Sequence, residues 1–177
     1  MYRDDIDERY GIDGDLGTLV ATLQDGTREW MGNLESPSPE AVIWQPYSNG
    51  PSIGGNLLHI AGCEWYWLGK FVNGESEPEE DPAIKYDKIL DQGSHIWPTP
   101  PAQPIEWYFK VLADRRAKTI EMIRAHGRPQ AVYSGRGSES TYGWIVAHLV
   151  EHDSYHGGQA VLLHEMFKRL RASDEAS

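Results

Sequence analysis

Apolar positions along this chain recur mostly at intervals of three and four residues, the period of an α-helix with one buried face. The first such block covers about Gly14 to Leu34, with Leu16, Leu19, Val20, Leu23, Thr27, Trp30 and Leu34 in register. A stretch from Pro37 to Pro51, carrying Pro39, Pro46 and Asn49-Gly50, reads as punctuation. Ser52 then suits the N-cap of a second helix, about Ile53 to Val72, closed by Asn73-Gly74. Gly54-Gly55 in its first turn are poor helix formers, which suggests that something approaches the backbone closely there. A third helix fits Ile105 to His126, stopped by Gly127 and Pro129, and a fourth fits about Thr141 to Leu170, capped by Ser140 or Thr141. Between the second and third helices, Glu75 to Pro104 is acidic and then proline-rich. It reads as a long crossover with a short helix near Lys85 to Gln92. The connector at Arg136-Gly-Ser-Glu-Ser has an extended character, but no strand alternation is sustained. Four amphipathic segments with one long crossover predict an all-α four-helix bundle in a single domain, residues 1–177.

Composition narrows the function classes. The 177 residues hold 16 Lys and Arg against 27 Asp and Glu, a net charge of −11. So acidic a surface argues against nucleic acid or an anionic membrane as a partner. No apolar run approaches the ~20 residues of a membrane span. The N-terminal residues are charged and lack the apolar core of a signal peptide, so a cytoplasmic protein is expected. The single cysteine, Cys63, permits no internal disulfide.

The chemistry concentrates late in the chain. His148, His152 and His156 stand four residues apart, which on a helix stacks them along one stripe beside the apolar positions Ile145 and Leu163. Imidazoles in an apolar interior need partners, either hydrogen bonds or a metal ion. Two histidines one turn apart can grip one ion from a single helix. His59, in the middle of the second helix, is the candidate third ligand, and such a three-histidine site leaves a coordination position open. Glu151, Asp153 and Gln159 are candidates to orient the rings. Cys63, one turn after His59, reads first as a small core residue, with ligand or reactive thiol as alternatives. Trp65, Tyr66 and Trp67 read as packing or as a pocket wall, and the acidic run Glu77 to Asp81 as a solvated loop. His148-Leu-Val-Glu151-His152 also matches the H-x-x-E-H string of inverted zinc peptidases, but the later acidic ligand of that arrangement is not evident.

Two runs together, Ser52-Ile-Gly-Gly-Asn-Leu-Leu-His59-Ile and Gly143-Trp-Ile-Val-Ala-His-Leu-Val-Glu-His152-Asp-Ser-Tyr-His156-Gly-Gly-Gln159, resemble the DinB/YfiT-like superfamily of metalloproteins. The resemblance spans most of the chain in the order and spacing of helices. It implies an up-down-down-up four-helix bundle, a homodimer, and a divalent transition metal such as zinc or nickel held by His59, His152 and His156. His148 lies outside that pattern. Some relatives are similar to thiol-dependent S-transferases or isomerases; because an open ion position can activate a thiol or a water, the expectation is a metal-dependent enzyme of the thiol S-transferase or hydrolase type. Its substrate would be a low-molecular-weight thiol or other small molecule. A non-catalytic metal-binding or stress-response bundle is the alternative.

Overall fold

The computed structural model describes residues 10–90, 93–94, 96–135 and 137–175. The charged N-terminal residues, Gln92 at the end of the expected short helix, and Arg136 in the second connector lie outside the described residues. The chain is mostly helical: α1 (Gly14–Gly32), α2 (Pro39–Ile43), α3 (Ile53–Glu64), α4 (Pro82–Ile89), α5 (Ile105–His126) and α6 (Tyr142–Glu175), with strands β1 (Val132–Gly135) and β2 (Ser138–Thr141) before α6. A π-helical segment, Trp65–Val72, extends α3 without a break.

Local chemistry explains most boundaries. The Ser52 hydroxyl accepts the Gly55 amide at 3.1 Å and starts α3 as expected. The next two glycines admit neighbouring aromatic rings. A Cβ on Gly54 would meet the Tyr108 ring at 2.7 Å, and one on Gly55 would strike the Tyr86 hydroxyl. Gly127, at φ +59°, closes α5 in the left-handed conformation. The Thr141 hydroxyl accepts the Trp144 amide at 3.2 Å, which makes it the cap of α6.

Three readings need correction. The punctuated stretch after α1 contains the short α2, because Ser38 accepts the Ala41 amide ahead of Pro39 at the first helical position. The crossover helix begins earlier than Lys85, because the Asp81 carboxylate accepts the Ala83 and Ile84 amides across Pro82. Asp81 also pairs with the buried Arg115, so the acidic run is not solvated throughout. The all-α reading stands in its coarse form, a mostly helical chain, and the connector read as extended forms one small hairpin, Val132–Gly135 antiparallel to Ser138–Thr141. Four residues per strand are too few to display alternation in sequence.

α3 is the central element. Every residue from Ile53 to Glu64 is buried, so its sequence carries no solvated face. It packs against α6, α5 and α4, while α1 covers the other side of α6. A polar knot ties these helices together inside the core. Arg116 of α5 donates to Glu64 of α3 at 2.7 Å, to Asp153 of α6 at 2.7 Å, and to Gln24 and Thr27 of α1 at 2.9 and 2.8 Å. Thr119 and Trp30 supply further donors to the same two carboxylates. None of the three charged partners is more than 3 % exposed. No helix among the described residues is long and apolar enough to cross a membrane.

Candidate metal centre

Where α3 lies against α6, three imidazoles converge. His59 from α3 and His152 and His156 from α6 bring one nitrogen each to within 4.8 Å of the others. The Nε2 atoms of His59 and His152 are 3.1 Å apart. Ring centroids are 4.7 Å apart for His59 with either partner and 4.4 Å for His152 with His156.

The opposite ring nitrogens are already committed. Nδ1–H of His59 donates to Asp87 Oδ1 at 2.7 Å. Nδ1–H of His156 donates to Asn56 Oδ1 at 2.9 Å and to Gln159 Oε1 at 3.0 Å. The Asn56 amide is itself oriented, because its NH2 group donates to the Ser52 carbonyl. An acceptor on Nδ1 fixes the tautomer that leaves a lone pair on Nε2. His59 and His156 therefore present Nε2 lone pairs toward one point. Both are buried, at 5 % and 7 % exposure.

Burial favours the neutral form of His152 and His156, the form a metal requires. Burial, reinforced by the adjacent His59, His156 and His148, pushes His152 down to about 2. Burial and His59 push His156 down to about 4, with Gln159 opposing. Burial raises Asp87, and the His59 ring works against that shift. The donor set suits a transition metal on chemical grounds: two imidazole nitrogens on a tetrahedral ion at ~2.0–2.1 Å stand ~3.3 Å apart, close to the His59–His152 separation.

Other expected participants fall into place or out of it. His148 stacks on Trp144 with rings 5.1 Å apart and 2° from parallel, and its ring is 5.8 Å from that of His152. It lines the surrounding cavity and is no member of the converging trio. Glu151 is solvent-facing and 3.8 Å from His148, so the H-x-x-E-H string does not form a ligand pair with its base. Of the three candidate orienting residues, Gln159 alone reaches a ring of the converging trio among the described residues. Asp153 points about 100° away from His152 around the helix and is buried in the Arg116 knot. Asp87, Asn56 and Trp97, the last with its ring edge-on to His59 at 5.6 Å, are the site residues that sequence reasoning missed. Asp87 and Trp97 sit on the crossover, whose path no periodicity encodes. Asn56, one turn before His59, was legible as a polar residue on the same helix face.

A cavity of about 840 Å³ lies over the trio, walled by Trp65, Tyr66 and Trp67 of the π-helical segment and by Cys63 and Tyr155, among others. Cys63 is buried, and burial, followed by the charges of Asp87 and Glu64, raises its thiol well above the ordinary value.

The chain matches the family model of the DinB superfamily over residues 21–160. No curated protein matches it. The match covers well over half of the chain, which therefore belongs to the DinB superfamily.

Proposed function

We propose that this member of the DinB superfamily holds a divalent transition metal on His59, His152 and His156, and that the cavity above admits a small molecule to that ion. The observation that carries the reading is the convergence of three imidazole nitrogens within 4.8 Å, two of the rings backed by acceptors that free Nε2, beneath an open space of about 840 Å³. A structural ion is typically closed off by a fourth protein ligand, whereas a reactive ion keeps a free position beside a pocket. Among the described residues no Cys, Asp or Glu joins the trio as a fourth donor. When bound, such an ion supplies Lewis acidity toward a thiol or a water. The chain's own residues do the positioning: Asp87, Asn56 and Gln159 hold the ligand rings, and the aromatic wall limits access of bulk solvent.

The activity read from this arrangement is that of a metal-dependent thiol transferase or hydrolase acting on a small molecule. The four long helices are read as an up-down-down-up bundle in which α1 neighbours α6, α6 neighbours α3 and α3 neighbours α5. A homodimer remains part of this reading. The exposed stripe Tyr155, Leu162, Met166 and Leu170 on α6 is a surface that a second copy would cover.

Cobalt(II) titration of chelator-stripped protein tests the open position. The expected result is a saturable visible absorption band that changes when 2-mercaptoethanol is added. A band indifferent to the thiol would favour a closed, non-catalytic site.

A further inference from the structure

The crossover delivers one aromatic ring to the histidine trio and fixes it there. Trp97 is half-buried, lines the cavity, and stands edge-on to His59 at 5.6 Å and tilted to His156 at 5.9 Å. Its backbone is held on both sides. The Trp97 amide donates to the Asn49 carbonyl at 3.0 Å, and the Trp97 carbonyl accepts from Gln45 Nε2 at 3.0 Å. Gln45 Oε1 also accepts the Thr99 hydroxyl at 3.0 Å, and the Tyr86 hydroxyl donates to the Pro98 carbonyl at 2.9 Å. An irregular segment with four such ties is set before a ligand arrives, so binding against it costs little ordering. From α6, Tyr155 lies edge-on to His156 at 4.9 Å, borders the same cavity and is 62 % exposed. Among the described residues the Trp97 and Tyr155 rings do not pack on each other, although both border the cavity beside His156.

We infer that Trp97 is a specificity-determining residue of the proposed site, and that with Tyr155 it receives a planar aromatic group carried by the small-molecule ligand next to its metal-binding atom. The inference deepens the proposed function and rests on it for the ion. Aromatic rings attract one another edge to face at centroid separations of ~4.5–7 Å, the arrangement that the imidazoles already adopt with Trp97 and Tyr155. A further ring entering between Trp97 and Tyr155 extends that arrangement and covers the exposed phenol. An aliphatic group of equal size gains the same burial but lacks the ring–ring attraction. The crossover adds Ile84 and Leu90 to the lining, so the group received there is apolar as well as flat. Gln45 is the positioning residue behind Trp97. Its amide ties the Trp97 carbonyl and the Thr99 hydroxyl to the Gly50 carbonyl, just ahead of α3.

Cobalt(II)-loaded full-length protein is titrated with phenylmethanethiol and, separately, with cyclohexylmethanethiol, which match in chain length and closely in size. Both thiols are expected to alter the visible band, the aromatic one with roughly three- to tenfold higher affinity, the range that an aromatic pair contributes beyond its area. In Trp97→Leu the preference is expected to fall to about twofold or less. Trp144→Leu, which removes an exposed tryptophan outside the cavity lining, is expected to keep it. Gln45→Leu is expected to reduce the preference with Trp97 still present. The cobalt affinity of each variant, read in the same titrations, separates loss of the ion from loss of preference. Equal affinity for the two thiols in the wild type, or a preference that survives Trp97→Leu, would overturn the inference. A metal-independent readout keeps the two proposals apart. Trp97→Leu identifies one of the tryptophan indole resonances in nitrogen-15 NMR. In chelator-stripped protein, phenylmethanol is expected to move that resonance with saturation, and cyclohexylmethanol to move it far less. If neither thiol alters the cobalt band, the proposed function fails while that shift keeps the aromatic slot in force. A Trp97 resonance indifferent to both alcohols would overturn the slot.

Discussion

At the scale of single residues, the site depends on side chains that touch ring nitrogens rather than on the rings alone. The Asp87 carboxylate fixes the His59 tautomer and increases the basicity of Nε2. Replacing it by Asn keeps the shape but weakens the acceptor, so Asp87→Asn is expected to lower zinc affinity by about 10- to 100-fold, measured by competition with a chromophoric chelator. Cys63 makes a separate prediction. Its folded pKa is raised by burial first and by nearby carboxylates second. The unfolded thiol, near ~8.5, therefore ionises before the folded one, and the folded state loses stability as pH rises above that value, by up to ~1.4 kcal/mol per pH unit. Wild type is expected to lose more stability than Cys63→Ala between pH 7.5 and 9.5 in denaturant titrations, and equal losses would refute the shift. The pairing of His152 with His156 was legible because i, i+4 spacing on a helix is a geometric statement, whereas the choice of His59 over His148 as the third member came from the family resemblance. Asp87 was not, because its approach to His59 depends on the path of an irregular crossover, and only the tertiary fold decides that path.

At the scale of elements, the convergence of α3 and α6 has identifiable causes. The Arg116 knot joins α1, α3, α5 and α6, and it sits beside the site because Asp153 directly follows His152. Arg116 stays charged, so deleting its head group would strand two carboxylates in the core. Arg116→Met is expected to cost about 3–5 kcal/mol, read as a lower midpoint in urea. Close backbone approach is the second cause. A Cβ on Gly157 would strike the Trp30 ring, so Gly157 lets α1 lie tightly on α6. Helix existence and capping were readable from periodicity and from Ser52, Gly127 and Thr141. The knot was not, since Glu64, Arg116 and Asp153 lie far apart in sequence and no local pattern pairs them; Asp153 read instead as a candidate to orient the rings. The π-helical turn escaped as well, because its residues share the apolar pattern of an ordinary helix end.

At the scale of the whole molecule, an acidic chain presents a cavity with three converging imidazoles at its floor. Metal binding to the folded state alone should stabilise it by ~2.7 kcal/mol at a free concentration one hundred times Kd. For a domain of this length that corresponds to a rise in Tm of roughly 5–11 °C, lost again on adding chelator. A metal-free helical protein would show no such response. The most direct measurement is elemental analysis of untagged protein purified without added metal, comparing wild type, His148→Ala and His152→Ala. The expected result is about one transition-metal ion per chain in the first two proteins and almost none in the third. Full metal content in His152→Ala, or none in the wild type, would contradict the three-histidine site.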